Sequence, residues 1–290
     1  MRIKFRGFWW LALLLLVVGC KKEEEVIVPD NQAPPDSTIQ NIVLESYINR
    51  SYIILLGEQP DDAQMSQGKA VLRTHNVSQT DREAFLDGVM AQPGYSQRMF
   101  DVGRSLYLNS VDSSAIQEEI FFLDLILGDS AFIAFWDDVQ AQKDQLLLLL
   151  DVPGDLMAGT IDMREAHKRM VFNKIYNDIN MGTQNFVISM FQNFLARYPT
   201  EGERSASETM VDGFPSVVFM QSGRTKENFV DIFIGSRDYD EGQVRDLFRR
   251  YLYREPNTQE MDELTNSYRA DHDYKALQQA VMSTDEFVGI

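Results

Sequence analysis

The stretch Val244-Arg245-Asp246-Leu247-Phe248-Arg249-Arg250-Tyr251-Leu252-Tyr253-Arg254-Glu255-Pro256-Asn257-Thr258-Gln259-Glu260 decides the fold. Val244, Phe248 and Leu252 stand four residues apart, the spacing with which an α-helix buries one face. Pro256, four residues on, has no N–H to continue the ladder and drives its predecessor away from helical geometry. Asn257 then offers a side-chain oxygen to the orphan N–H groups of a new helix. Glu260 is placed to reach back to the cap, as in a capping box. Helix, turn and helix are all predicted here.

The same arrangement occurs twice upstream. Ile48, Tyr52 and Leu56 precede Pro60, and Val187, Phe191 and Leu195 precede Pro199. Behind the prolines come Asp61 with Gln64 and Thr200 with Glu203, again as capping boxes. Each copy is expected to close with a last helix ending on an aromatic, over Phe85–Tyr95, Phe229–Tyr239 and Leu277–Phe287. The chain therefore reads as all-α, built of repeated helical units (helix–proline turn–helix–helix) over residues 39–100, 183–240 and 241–290. A helical insert occupies residues 101–182. There, Ile116, Ile120, Leu123 and Leu127 are spaced for a buried face, and the run Leu146–Leu150 is expected to be buried. Pro153-Gly154 should end that helix, and a further one should span Met163–Asn180. Ser216–Met220 is the one stretch that reads as a short strand.

Tyr52-Ile53-Ile54-Leu55-Leu56-Gly57-Glu58-Gln59-Pro60 and Phe248–Pro256 resemble the "YRxLLGREP" helix-turn of an uncharacterised bacterial extracellular domain, itself similar to phycobilisome linker domains. The first copy departs from it with Glu58-Gln59, whereas Arg197 and Pro199 keep the pattern in the second. The resemblance implies an all-helical fold with a binding or structural role, and it supplies no catalytic residues.

The other informative stretch is the start. A basic opening (Arg2, Lys4, Arg6), an apolar run from Phe8 to Val18 and Gly19 precede the only cysteine, Cys20. That is the layout of a secretory signal over residues 1–19, too short in its apolar part for the roughly twenty residues of a membrane span. Val17-Val18-Gly19-Cys20 resembles the lipobox of bacterial lipoproteins, which implies cleavage between Gly19 and Cys20 and acylation of Cys20. Two or three acyl chains anchor a protein stably where one does not. Lys21-Lys22-Glu23-Glu24-Glu25 resembles the export signal of Bacteroidota surface lipoproteins, which implies an outer-membrane anchor facing the cell exterior. Residues 20–38, with Pro29, Pro34 and Pro35, read as the acylated cysteine and a flexible linker.

Composition narrows the rest. Removing residues 1–19 takes the formal charge from −17 to −20, which repels nucleic acid. With Cys20 committed to lipid, no disulfide, thiolate metal site or cysteine nucleophile remains. His75, His167 and His272 are far apart, and His167 is expected on a solvent-facing helix flank. The acidic groups Glu118-Glu119, Asp137-Asp138 and Asp238-Tyr239-Asp240-Glu241 read as solvated surface. Arg197 and Arg254, two residues before their turn prolines, are expected to stabilise helix C-termini. No catalytic residue, metal ligand or cofactor is assigned. The expected function is a lipid-anchored binding or scaffold component of an envelope assembly, bound to the membrane through Cys20 and to a protein partner. The alternative is a surface glycan-binding accessory or hydrolase using exposed acids and aromatics such as Trp136.

Overall fold

In the first unit, α1 (Asn41–Leu56) buries Leu44, Tyr47, Ile48, Tyr52 and Leu55 along one face. It stops at Gly57, whose φ of 80° lets its N–H bond back to Tyr52 and Ile53. A computed structural model describes residues 39–290, and among them the chain is all-α, with one two-stranded sheet. After Pro60, Asp61 and Gln64 form the expected capping box and start α2 (Asp62–Leu72). A second box, Ser78 with Asp81, starts α3 (Gln79–Met90), and α4 (Gly94–Tyr107) follows Pro93.

The insert continues with α5 (Ser113–Leu127), a 3₁₀ turn at Ser130–Phe135, and α6 (Trp136–Ala158), which packs along α5 as a hairpin. Then come α7 (Met163–Val171) and α8 (Lys174–Ile179). The second unit holds α9 (Thr183–Leu195), α10 (Glu201–Val211), the hairpin β1 (Ser216–Val218) and β2 (Gln221–Gly223), and α11 (Lys226–Ile234). Last are α12 (Arg237–Leu247), continued by a π-helical turn at Phe248–Leu252, α13 (Thr258–Asp271), α14 (Tyr274–Met282) and α15 (Asp285–Val288). Capping boxes at Thr200/Glu203 and Asn257/Glu260 start α10 and α13 as expected.

Five expectations are corrected. The helices over Phe85–Tyr95, Phe229–Tyr239 and Leu277–Phe287 each break before their aromatic, which sits in the first turn of the next helix. Ser236 and Thr284 cause two of the breaks, because their hydroxyls cap the N–H of Tyr239 and Phe287. The expected boundaries at 100/101 and 240/241 consequently fall inside α4 and α12. Pro153 lies within α6 rather than ending it. Arg169 brackets the interrupted ladder there, donating to the Leu148 carbonyl at 3.1 Å and to Asp155 at 2.7 Å. Residues Met163–Asn180 form two helices. Buried Asn173 separates them, donating to the carbonyls of Arg169 and Met170 and capping Tyr176. Within the leucine run, Leu146 and Leu149 are buried but Leu147 and Leu148 are exposed, since α6 presents only one side to the core.

The two ends of the described chain are tied together. Arg82 of α3 donates to the Ser283 carbonyl at 2.7 Å and to Asp285 at 2.6 Å, and Gln79 bonds the Ser283 hydroxyl at 2.7 Å. Tyr47 of α1 meets Phe287 of α15 edge-on, with ring centres 5.9 Å apart. The helices are thus closed on themselves, and buried residues of every unit join one core.

Candidate functional site

Cys20, Gly19 and Lys21, Lys22, Glu23, Glu24 and Glu25 lie outside the described residues. Among those that are described, two surfaces stand out.

The first is the α5–α6 hairpin. A helix opposite its own packing face is normally polar, yet α5 carries Phe121, Phe122 and Leu125 there, and the 3₁₀ turn adds Phe132, Ile133 and Phe135. These six side chains are each between 43 and 63 % exposed. Single exposed apolar side chains are ordinary on a protein surface, but six within fifteen residues are not. Exposed Glu118, Asp124, Asp129, Asp137 and Asp138 surround them in sequence. Lys143 is the only basic residue from Ser113 to Ala158, and it is paired with Asp124. Trp136, expected as an exposed aromatic, is half-buried with its indole N–H shielded from solvent.

The second is a groove of about 360 Å³ between α2 and α3. Gly68, Val71, Ala84, Phe85, Gly88 and Val89 supply its apolar lining. At one end Gln64 donates to Gln92 at 3.4 Å and Gln92 to the Tyr52 hydroxyl at 3.2 Å. No charged side chain lines it.

The three proline turns differ from one another. Arg197 makes a two-point bond to Glu203 at 2.8 and 2.7 Å and reaches Asp238 at 3.1 Å. Arg254 does the same with Glu260 at 2.8 and 2.7 Å and reaches Glu286 at 2.7 Å. The guanidinium groups sit over Phe191 and Phe248, 5.1 and 4.9 Å from the ring centres. Both arginines also bond a backbone carbonyl, of Tyr198 and Glu255, although the carboxylates are their main partners. Arg197 holds the Glu203 carboxyl down to about 2. In the first unit the corresponding positions, counted from the proline and the closing aromatic, hold Glu58, Gln64 and Gly94. The clamp is missing there, and the neutral Gln64–Gln92–Tyr52 chain stands in its place.

His167 and Asp240 contradict their expected exposure. His167 is buried among Tyr107, Phe194 and Tyr239, sharing a 2.7 Å hydrogen bond with the Tyr239 hydroxyl. Burial, with nearby Arg250 adding to it, pushes the imidazole down to about 3, so the ring is neutral. Asp240 is fully buried and accepts from Arg164 and Arg269, the latter at 2.8 Å. These partners come from α7 and α13, so no local pattern announces the site. Asp238 and Glu241 behave as ordinary surface partners of Arg197 and Arg237.

No family model matches this chain. Nor does any curated protein or solved structure match it. Among the described residues, no His, Cys, Asp and Glu side chains gather as a metal site, and no helix is long and apolar enough to cross a membrane.

Proposed function

We propose that this chain is a lipid-anchored outer-membrane protein, facing the cell exterior, that acts without catalysis as a binding or scaffold component of an envelope assembly. The lipobox-like Val17–Cys20 and the acidic stretch behind it support the anchor and its orientation. The resemblance to the helical "YRxLLGREP" domain agrees with a binding role. The observation that carries the binding role is the hairpin, where Phe121, Phe122, Leu125, Phe132, Ile133 and Phe135 face solvent. Its acidic surroundings favour a protein partner with an apolar centre and a basic rim. They disfavour anionic lipid headgroups and a second copy of the same face.

Purification of the full chain from native cells in mild detergent tests this. A stoichiometric partner is expected, and it is lost with Phe121→Ser plus Phe135→Ser in a variant that keeps its helical signal. Mass spectrometry of the N-terminal peptide should find an acylated Cys20, and protease treatment of intact cells should remove the protein. Recovery of the protein alone, or an unmodified Cys20, would overturn the corresponding part of the reading. A glycan-binding or hydrolytic role needs carboxylates and aromatics gathered in one cleft, and the α2–α3 groove is lined by no carboxylate.

A further inference from the structure

The groove between α2 and α3 has a counterpart in the second unit, and there it is filled. Counting from the turn prolines and closing aromatics, Tyr52, Val71, Phe85 and Val89 correspond to Phe191, Met210, Phe229 and Phe233. The connection from α10 to α11 runs over residues 212–225 and folds into the β1–β2 hairpin. Phe219 at its tip lies against Phe191 and Phe233, with ring centres 6.0 and 5.6 Å away. Gly223 of the same hairpin is pressed so close to α10 and α11 that a Cβ would lie 2.8 Å from both Asn228 and Met210. Phe219 and Met220 take φ values of 46° and 62°, a left-handed pair that side chains other than glycine adopt at a cost. Packing of the Phe219 ring holds that conformation.

In the first unit the connection is only residues 73–78 and supplies no hairpin. The third unit has Leu264 where the first has Gly68, and that leucine packs on the core. Only the first unit pairs a short connection with small residues, Gly68, Ala84 and Gly88, and there the groove remains open.

We propose that the α2–α3 groove docks an aromatic side chain carried on a turn of a partner polypeptide, as Phe219 fills the corresponding groove within this chain. The apolar floor takes the ring. The Gln64, Gln67 and Gln92 amides at the edge offer donors and acceptors to the peptide backbone around it. An uncharged lining gives no hold on an ionic ligand. The assignment rests on the proposed binding role only for the partner being an envelope polypeptide.

The test uses the full chain in lipid nanodiscs and a fluorescent, backbone-cyclised peptide with the sequence of residues 214–224, read by anisotropy. Saturable binding is expected, weakened about tenfold or more by Phe219→Ala in the peptide and equally by Gly88→Ile in the protein. A photoreactive phenylalanine at peptide position 219 should crosslink to α2 or α3, which serves as the readout should Gly88→Ile fail to fold. Absence of binding at millimolar peptide, equal binding of the Phe219→Ala peptide, or a crosslink elsewhere would overturn the proposal. So would a neutral oligosaccharide that binds in its place and is blocked by Gly88→Ile. These outcomes are independent of the partner lost with the Phe121 and Phe135 substitutions, so either reading can fail alone.

Discussion

His167 should make this fold acid-sensitive well above the range where carboxylates titrate. Its ring is buried and held to about 3, whereas an unfolded histidine titrates near 6.5. Below pH 6.5 the unfolded chain takes up a proton here and the folded chain does not. The stability from the neutral ring is therefore complete above 6.5 and is lost as pH falls from 6.5 towards 3. Each unit of pH below the unfolded value costs ~1.4 kcal/mol, so the fall from pH 7 to pH 5 removes about 2 kcal/mol. Glu203, held to about 2 chiefly by Arg197, adds its loss only below its ordinary 4.5, which leaves the interval above pH 5 to the histidine. His167→Phe keeps an aromatic beside Tyr107 and Phe194 but strands the Tyr239 hydroxyl, at a cost of about 1–3 kcal/mol at pH 7. Urea unfolding of both proteins at pH 7 and pH 5 should show the penalty for the substitution shrinking by about 2 kcal/mol. A penalty unchanged between the two pH values, or an imidazole that titrates near 6.5 by NMR in the folded protein, would refute the reasoning.

Other substitutions probe the turns and the core. Tyr253 ends its helix at φ 56° with an 88 % exposed side chain, in the position Gly57 holds at φ 80° in the first unit. Tyr253→Gly should therefore stabilise the protein by about 1 kcal/mol, seen as a higher midpoint in urea. Asp240→Asn removes the buried charge that pairs Arg164 and Arg269 and should cost about 3–5 kcal/mol, measured by the same unfolding. Gly242→Ala would place a Cβ 1.9 Å from the Phe194 carbonyl oxygen, forcing α12 off α9. A loss of about 1–3 kcal/mol is expected, and a midpoint within error of the parent would count against that close approach.

The proline turns were legible because a capping box is complete within four residues. Asp61/Gln64, Thr200/Glu203 and Asn257/Glu260 all form as their sequence indicates. The helix breaks at Ser236 and Thr284 each carry a capping hydroxyl and a lapse of period, since Phe233 to Tyr239 and Val281 to Phe287 are six residues apart rather than the three, four or seven of one helix face. The constant ten-residue separation from Phe229 to Tyr239 and from Leu277 to Phe287 shows that the copies are alike, and it does not show that each stretch is one helix. Burial of His167 and Asp240 was not legible, since Tyr239 lies 72 residues from the histidine and Arg164 lies 76 from the aspartate. The leucine run is ambiguous for a different reason. An unbroken apolar stretch has no period, and only the placement of α6 against α5 and α4 decides which members face inward.

Gly88 separates a packing requirement from a retained surface. At Gly68 a Cβ would lie 3.1 Å from the Ile48 and Phe85 side chains, so the groove floor would have to give by a few tenths of an ångström to admit one. At Gly88, in the last turn of α3, a Cβ would meet nothing within 4 Å, and the backbone is ordinary right-handed helix. Glycine at such a position costs about 0.5–1 kcal/mol relative to alanine, through the backbone freedom lost on folding. Nothing inside the fold recovers that cost. Gly88→Ala should thus raise stability by about 0.5–1 kcal/mol, and the urea midpoint would show it. The same methyl group narrows the groove by one carbon, so weaker binding of the aromatic-turn peptide should accompany the gain. If Gly88→Ala gains nothing in stability, the position is constrained from within and its openness says nothing about a ligand. If it gains stability with peptide affinity unchanged, the ring docks away from α3. A gain in stability together with a loss in affinity is the outcome expected of a glycine kept for what the groove receives.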